Sequence, residues 1–293
     1  MRNLVFLLVL IVSPSTFAGC PPEGQSQASL QALKALKFTL PDAATRQSLA
    51  MGLLDCLGDP DPELRDGIAY EALTHWMRAK ELEPAGLRAL RDQLQPMLGD
   101  ADPAGFRPPF AALVLSEVAR TDRIQPWMEP TERNAMVEAA AIYVESVRDY
   151  RGYDAKEGWR HGVAHGADWL MQLALNPALE RPQSDRILAA VAAQAVPEAA
   201  HAYVFGEPGR LARPVLYIAK RGLYSEAEWQ AWLTALTPRL GTGEQVYRDP
   251  AWLARRHDLL AFLTALHLEA DQGEDPNIRA LKPAIVAALK TIQ

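Results

Sequence analysis

The sequence lacks the motifs of the common nucleotide-binding and hydrolytic enzymes. No glycine-rich phosphate loop, serine nucleophile elbow or Cys–His arrangement stands out among its 293 residues. Lys and Arg form no long run, and the 30 of them are outnumbered by 36 Asp and Glu, for a formal net charge of −6. Because nucleic-acid binding depends on a positive footprint, we expect no nucleic-acid partner.

Long apolar runs are also missing, apart from Leu4–Val12. That run is too short to span a bilayer. Arg2 before it and the small residues after it, up to Ala18, are typical of a secretory leader. We therefore predict a signal peptide over residues 1–19 and a single all-helical domain over residues 20–293. The chain should be exported, periplasmic or secreted, with no transmembrane segment.

Only two cysteines are present, and two fates are open to the first of them. An oxidising compartment permits a disulfide between Cys20 and Cys56, which would tie the mature N-terminus to the second helix. Alternatively, Phe17-Ala18-Gly19-Cys20 resembles a bacterial lipobox. Cys20 would then carry a lipid anchor, and the chain would be a membrane-anchored lipoprotein. The two fates exclude each other.

The alternating pattern of β-strands is absent, and a different signal recurs along the chain. An acidic residue is followed by proline at Asp61-Pro62, Glu83-Pro84, Asp102-Pro103, Glu129-Pro130, Glu207-Pro208, Asp249-Pro250 and Asp275-Pro276. An acidic N-cap accepts hydrogen bonds from free helix amides, and proline at the first helical position loses none. Each pair therefore predicts the start of a helix.

These starts, together with apolar residues at three- and four-residue intervals, predict about twelve helices. Their ranges are 27–37, 42–57, 61–80, 84–98, 103–120, 130–148, 156–175, 182–196, 208–221, 225–237, 249–270 and 276–291. Two helices per unit give a repeat of about 45–50 residues, which is typical of HEAT and armadillo arrays. We predict an all-α fold, an α-solenoid-like array of antiparallel helix pairs, with a compact helical bundle as the alternative.

Polar and aromatic side chains are densest between residues 148 and 169. If residues 156–175 form one helix, one face carries a set that we call the polar stripe: Glu157, His161, His165, Asp168 and Gln172. Trp159 and two other tryptophans, Trp76 and Trp169, should then face the core. Imidazoles beside carboxylates predict raised histidine pKa values.

The polar stripe has three interpretations: a structural network, a binding surface, or a metal or catalytic site. His161, His165 and Asp168 have the spacing of Zn²⁺ ligands on a helix, and Glu157 would be the base. The sequence departs from the zincin pattern, because Gly162 follows the first histidine at the position where zincins have a glutamate. Apart from such a Zn²⁺ ion we expect no cofactor.

Two further groups are candidates for ligand contact. Four residues just before the predicted helix form a polar rim: Asp149, Arg151, Tyr153 and Asp154. A second group would hold an anion if the late helices align, and otherwise forms a solvated face: Arg210, Arg213, Arg255, Arg256 and His257.

Two segments together resemble the bacterial domain-of-unknown-function family 2785. The first is Asp59–Trp76, with Leu64-Arg65-Asp66 and an aromatic-rich end. The second contains Arg151-Gly152-Tyr153 and the run from Gly158 to Asp168. That run has the pattern Gly-Trp-x-His-x-x-Ala-His-x-x-Asp. The resemblance extends over about Leu30 to Leu268. It implies an all-helical fold and brings no established activity.

The sequence therefore favours an exported binding or scaffolding protein, whose partner is an unknown peptide, protein or envelope ligand. Stacked helix pairs create a continuous concave face suited to such segments. The alternative is a metal-dependent hydrolase of the cell envelope that uses His161, His165 and Asp168. A purely structural envelope protein is the third possibility.

Overall fold

The computed structural model describes residues 19–242 and 246–292. These residues form thirteen α-helical segments: α1 Gln27–Ala35, α2 Ala43–Gly52, α3 Glu71–Arg78, α4 Pro84–Met97, α5 Arg107–Ile124, α6 Pro130–Ser146, α7 Gly162–Ala174, α8 Arg181–Ala195, α9 Glu207–Lys220, α10 Glu226–Thr234, α11 Pro250–Gln272, α12 Pro276–Arg279 and α13 Lys282–Lys290. Short 3₁₀ turns lie at Leu53–Gly58, Thr237–Leu240 and Val246–Arg248, and a π-helical segment, Glu63–Tyr70, runs directly into α3. The all-α prediction is confirmed.

Acidic N-caps followed by proline begin four of the helices as predicted. Glu83, Glu129, Asp249 and Asp275 are N-caps, each with proline at the next position. The Asp102 prediction is wrong. Its carboxylate accepts hydrogen bonds from the amides of Phe106 and Arg107 and so closes a loop, and α5 begins only at Arg107.

Two predicted helices are each divided in the structure. Residues 276–291 form α12 and α13, which are separated at Ala280 and Leu281, and Pro283 lies in the first turn of α13. Residues 42–57 form α2 and then a 3₁₀ turn from Leu53. In both places the chain turns so that leucines stay in the core: Leu281 is 1% exposed and Leu54 is 1% exposed.

The centre of the fold is α7, which packs between α5 and α9 and also touches α6. In turn α9 packs on α11, and α6 packs on α8. Gly166 makes the α6–α7 approach possible, because a Cβ there would lie 2.6 Å from Val144 Cγ2. Helices two positions apart in sequence thus lie side by side. A regular solenoid of repeating pairs stays a prediction.

The segment before α7 is not helical, which corrects the prediction for residues 156–175. Strands β1, Tyr153–Asp154, and β2, Gly158–Trp159, pair antiparallel in a short hairpin. The Asp154 carboxylate accepts from the amides of Lys156 and Glu157 and so forms the turn. Gly158 has φ +78°, a value that glycine adopts without cost. Glu157 therefore lies on a hairpin and not on the helix of the two histidines.

Cys20 and Cys56 form a disulfide with a Cα–Cα distance of 4.9 Å, as one of the two alternatives predicted. The lipid anchor at Cys20 is the fate that this bond excludes. The predicted signal peptide, 1–19, lies outside the described residues except for Gly19. Within the described part of the chain, no helix combines the length and the hydropathy needed to cross a bilayer.

The core is continuous from α1 to α13 and contains two of the three tryptophans assigned to it. Trp76 and Trp169 are fully buried. Trp159 is 39% exposed, so its assignment to the core is wrong. The reason is the hairpin, because β2 lies on the surface, where the Trp159 ring packs on His161, Tyr153 and Phe205 and stays partly exposed.

Candidate functional site

His161 is the N-cap of α7 and joins the hairpin to the helix. It adopts a left-handed conformation, φ 57° and ψ 39°, and its amide donates to the Arg151 carbonyl. The Trp159 ring stacks on the imidazole, with centroids 4.7 Å apart and planes 25° apart. Only 10% of the side chain is exposed. The strained backbone places the imidazole under the tryptophan and against the start of α9.

The nearest carboxylate to His161 is Glu207, the first residue of α9. Glu207 Oε1 lies 3.8 Å from His161 Nε2, and its Oε2 accepts from the Phe205 amide at 2.9 Å. Burial raises the pKa of Glu207 and, with the charge of Arg210, lowers that of His161 to about 4. The predicted rise of the His161 pKa is wrong, because desolvation of the imidazole dominates and Arg210 adds to it.

His165, one turn further along α7, is a structural histidine. Its Nδ1 lies 3.2 Å from the Pro109 carbonyl, which can only accept, so Nδ1 carries the proton. The ring packs edge-on against Phe110 at 5.3 Å. Burial first, and the neighbouring His161 second, lower its pKa to about 3. Both imidazoles are therefore neutral at physiological pH, and the predicted rise is wrong here too.

Asp168 completes the predicted set, but it faces two arginines and not the histidines. Arg210 Nη1 donates to its Oδ2, and Arg213 Nη1 lies 3.8 Å from its Oδ1. Burial raises the pKa of Asp168, although both guanidinium groups act in the opposite direction. Among residues 19–242 and 246–292, no three His, Cys, Asp or Glu side chains group as metal ligands. His161, His165 and Asp168 do not converge as a Zn²⁺ site.

Glu157, the predicted base, takes part in a cation–aromatic cluster under the hairpin. Its carboxylate accepts from Arg160 at 2.7 Å, and its carbonyl accepts from the buried Arg65, also at 2.7 Å. Both guanidinium groups lie over the Phe106 ring, at 3.9 Å for Arg65 and 4.3 Å for Arg160. Residues of the segments 59–76 and 151–168, on which the sequence-based resemblance depends, thus meet in space. Their contact is structural, since it fixes the hairpin against the π-helical segment.

The four predicted ligand-contact residues lie together at one groove. Arg151, Tyr153 and Asp154 line a groove of about 440 Å³. Asp149 lies beside it, bonded through both carboxylate oxygens to Arg151. Other lining residues are Tyr150, Gly152, Arg160, His201 and Phe205. The groove contains paired charges, because Arg151, Asp149 and Asp154 all have partners within the protein.

Two buried acids that the sequence argument missed hold the loop that closes this region. Asp258, fully buried in α11, accepts from the Tyr203 amide at 2.7 Å, and burial raises its pKa to about 6. The burial of Asp258 could have been predicted, since it falls on the same helical face as Phe262 and Leu266. For Glu207 the sequence predicts only the start of a helix. Its burial depends on the loop at Phe205, which no periodicity predicts.

The second predicted cluster is divided between two places. Arg210 and Arg213 reach Asp168, whereas Arg255 donates to the Leu240 carbonyl and Arg256 to the Ile292 carbonyl. The two groups therefore do not form one anion site. The arginines of α9 belong instead with others on α3 and α5.

Five arginines from α3, α5 and α9 lie near one another at the surface of the packed helices α5, α7 and α9. We call them the arginine face: Arg78, Arg120, Arg123, Arg210 and Arg213. Arg78 Nη2 lies 2.6 Å from Glu117 Oε1, and Arg123 Nε donates to Gln172 of α7 at 3.2 Å. The carboxylates lie beneath: Glu117 is 5% exposed, whereas Arg78 is 53% exposed. Cations thus form the outer layer over buried acids.

Charge interactions place these side chains in one neighbourhood. The pKa of Tyr70 is raised by burial and by the charges of Glu117 and Asp168, so the two acids lie near one another. The pKa of Arg123 is lowered by burial and by the adjacent charge of Arg120. Among the described residues Arg120 makes no ion pair. Like-charged groups held side by side favour an anionic partner.

Comparison with known proteins gives one match. The family model described as "Protein of unknown function (DUF2785)" matches residues 94–268, which include α5 to α9, the hairpin and most of α11. No curated protein and no solved structure matches the chain.

Proposed function

The chain belongs to the DUF2785 family of proteins of unknown function, and we propose that it is an exported binding protein for an acidic stretch of a peptide or protein. The observation that carries this proposal is the arginine face. Five guanidinium groups form an outer layer over two carboxylates, Glu117 and Asp168, whose side chains are only 5% and 13% exposed, on a chain whose net charge is −6. A positive surface on an acidic protein attracts acidic ligands and orients their approach.

The arginine face extends across several helices because of how they pack. Because α5, α7 and α9 lie side by side, equivalent positions on successive helices form a row across them. We propose that the helices continue this arrangement as a solenoid-like array, whose inner face receives an extended segment. Arg123 and Gln172 already bridge α5 and α7, and Arg210 and Asp168 bridge α9 and α7.

Arginine suits this role because its fork of donors matches a carboxylate in two-point contact. Arg213 is 49% exposed and its one contact with Asp168 is long, at 3.8 Å, so most of its donors face outward. Arg120 adds a charge without a partner in the described chain. The face therefore offers donors that the protein itself does not use.

The proposal is tested by titrating a fluorescent oligoglutamate peptide and recording anisotropy. Replacing Arg120 and Arg213 by Gln should weaken binding about tenfold or more, on the scale of about 1.5–3 kcal/mol for a hydrogen bond to a charged group. The matched control replaces Arg239 and Arg279, two exposed arginines away from the face, by Gln. Equal losses in both double variants, or no binding by the native chain, would refute the proposal.

The same titration, repeated at several salt concentrations, gives a second test of the proposal. Contacts between exposed charges are screened at higher ionic strength, so affinity should fall as salt rises. The Arg120→Gln/Arg213→Gln variant should show a shallower fall than the control. An affinity that is independent of salt would mean that the peptide binds elsewhere.

A further inference from the structure

A cavity of about 370 Å³ with an apolar floor and a polar rim opens where the end of α3, the start of α4 and the end of α5 meet. Met77, Leu82 and Leu87 line it and are buried, at 3%, 6% and 4% exposed. Ile124 and Trp127 line its outer part, and Ile124 is 47% exposed. The volume lies in the range of pockets that hold small organic groups. A large apolar side chain would gain contact with all three helices here.

The rim of this cavity is cationic. Arg78 and Arg120 belong to the arginine face and also line the cavity, so the two features are continuous. Lys80 follows α3 with φ +60° and also lines the rim. Arg78 is held by Glu117, but neither Lys80 nor Arg120 forms an ion pair within the described chain. Two free cations beside an apolar floor would attract a carboxylate that carries an apolar group.

The start of α4 also favours an anion at the rim of the cavity. Pro84 lines the cavity, and its N-cap, Glu83, makes no side-chain hydrogen bond to the helix amides. The positive end of the helix dipole therefore lies at the edge of the cavity without a side-chain cap. The Glu83 carboxylate, which also lines the cavity, is the one acid at the rim and opposes an anion.

We infer that this cavity binds the C-terminal residue of the acidic segment, with a large apolar side chain on the floor and the α-carboxylate between Lys80 and Arg120. The inference rests on the proposed function, because the arginine face would hold the preceding acidic residues. A C-terminal leucine or phenylalanine joins a carboxylate and an apolar side chain at one carbon atom. An internal glutamate brings the charge without the apolar group.

Three oligoglutamate peptides test the inference, ending in leucine as the free acid, in leucine as the amide, and in alanine as the free acid. The leucine acid should bind most tightly. The amide should bind about tenfold more weakly because it loses the charge-assisted bonds. The alanine acid should also bind about tenfold more weakly because it buries less apolar surface.

Variants of the rim separate this inference from the proposed function. Lys80→Gln should remove much of the difference between acid and amide and keep the difference between leucine and alanine. Glu83→Gln should increase the affinity for the leucine acid. If all three peptides bind the native chain equally, the inference is wrong and the acidic-segment function stands. If none binds, both fall. Decanoate that binds more tightly than any of the peptides would assign the cavity to a free amphiphile and overturn the inference.

Discussion

The two ends of α7 carry polar side chains of opposite character, although both belong to one predicted stripe. At the N-terminal end, His161 and His165 are buried and neutral, and they contact aromatic rings and a backbone carbonyl. At the C-terminal end, Asp168 and Gln172 bond to arginines that reach solvent. Burial decides the difference: it removes charge from the first end, whereas the second keeps charge by pairing.

This contrast assigns different roles to residues of similar chemistry. A buried neutral imidazole fixes the hairpin and the start of α9, and its loss should act on stability. An exposed arginine over a buried carboxylate contributes little to stability and much to recognition. The predictions below test this division, from the largest expected effect to the smallest.

Lowering the pH should reduce the free energy of unfolding, mainly through His161 and His165 at the N-terminal end of α7. His161 and His165 have folded pKa values near 4 and 3, below the ordinary value of 6.5. Between pH 6.5 and pH 4 the unfolded chain therefore binds more protons, and the free energy of unfolding falls as the pH falls. The loss by pH 4 should be about 3 kcal/mol for each imidazole.

Urea unfolding at pH 7 and pH 4 measures this loss, with a His161→Asn/His165→Asn variant as control. Asp258, Glu207 and Asp168 have raised pKa values and act with the opposite sign, because they stabilise the folded chain as the pH falls. The contributions of Asp258 and Asp168, which in the described chain make no hydrogen bond to either histidine, should be similar in the two proteins. The variant should lose less stability than the native chain over this window, and equal losses would contradict the neutral-imidazole assignment.

Replacing His165 by alanine should lower the free energy of unfolding by about 2–4 kcal/mol at pH 7. The change leaves a cavity beside Phe110 and removes a side-chain donor to the Pro109 carbonyl. His75→Ala is the control, since His75 is exposed and should cost within about 0.5 kcal/mol. Similar thermal midpoints for both variants would mean that His165 is not structural.

Trp159→Ala should cost about 1 kcal/mol, because the change removes ring contacts with His161, Tyr153 and Phe205 from a side chain that is partly exposed. Its sharper effect should be on His161. Removing the ring admits water to the imidazole, so the pKa of His161 should rise from about 4 towards its ordinary value. Titration of the imidazole resonances by NMR measures the shift, and an unchanged value would show that burial by α9 alone is sufficient.

The smallest effect on stability should come from Arg213→Gln, within about 0.5 kcal/mol. Arg213 is exposed and its distance to Asp168 is long, so water already screens the pair. Chemical denaturation of the native chain and the variant checks this. A loss above 2 kcal/mol would place Arg213 with the structural residues.

The helices could largely be predicted from the sequence because their signals are local. Acidic caps followed by proline begin α4, α6, α11 and α12, and apolar spacing defines the buried faces. The hairpin could not be predicted in the same way. Its turn depends on the Asp154 carboxylate and on Gly158, while the residues from 156 onward also suit a helix.

The arginine face could not be predicted in this way, because Arg78, Arg120 and Arg210 come from helices that are far apart in the sequence. The sequence grouped Arg151, Tyr153 and Asp154 as one polar rim, and in the structure these three residues line one groove. Their role in ligand contact stays a prediction. Protonation states depend on what packs over a side chain, and Glu207, Arg210 and Phe205 come from a loop and helix 40 or more residues away in sequence. The contact of Asp168 with α9 is therefore visible only in three dimensions.

The most direct test of the division along α7 measures binding and stability together in two variants, Arg213→Gln and His165→Gln. The affinity for oligoglutamate and the thermal midpoint are recorded for each under the same conditions. The account predicts that Arg213→Gln weakens binding and keeps the midpoint, whereas His165→Gln lowers the midpoint and keeps the affinity of the folded protein. A His165→Gln protein that is fully stable but no longer binds the peptide would contradict it.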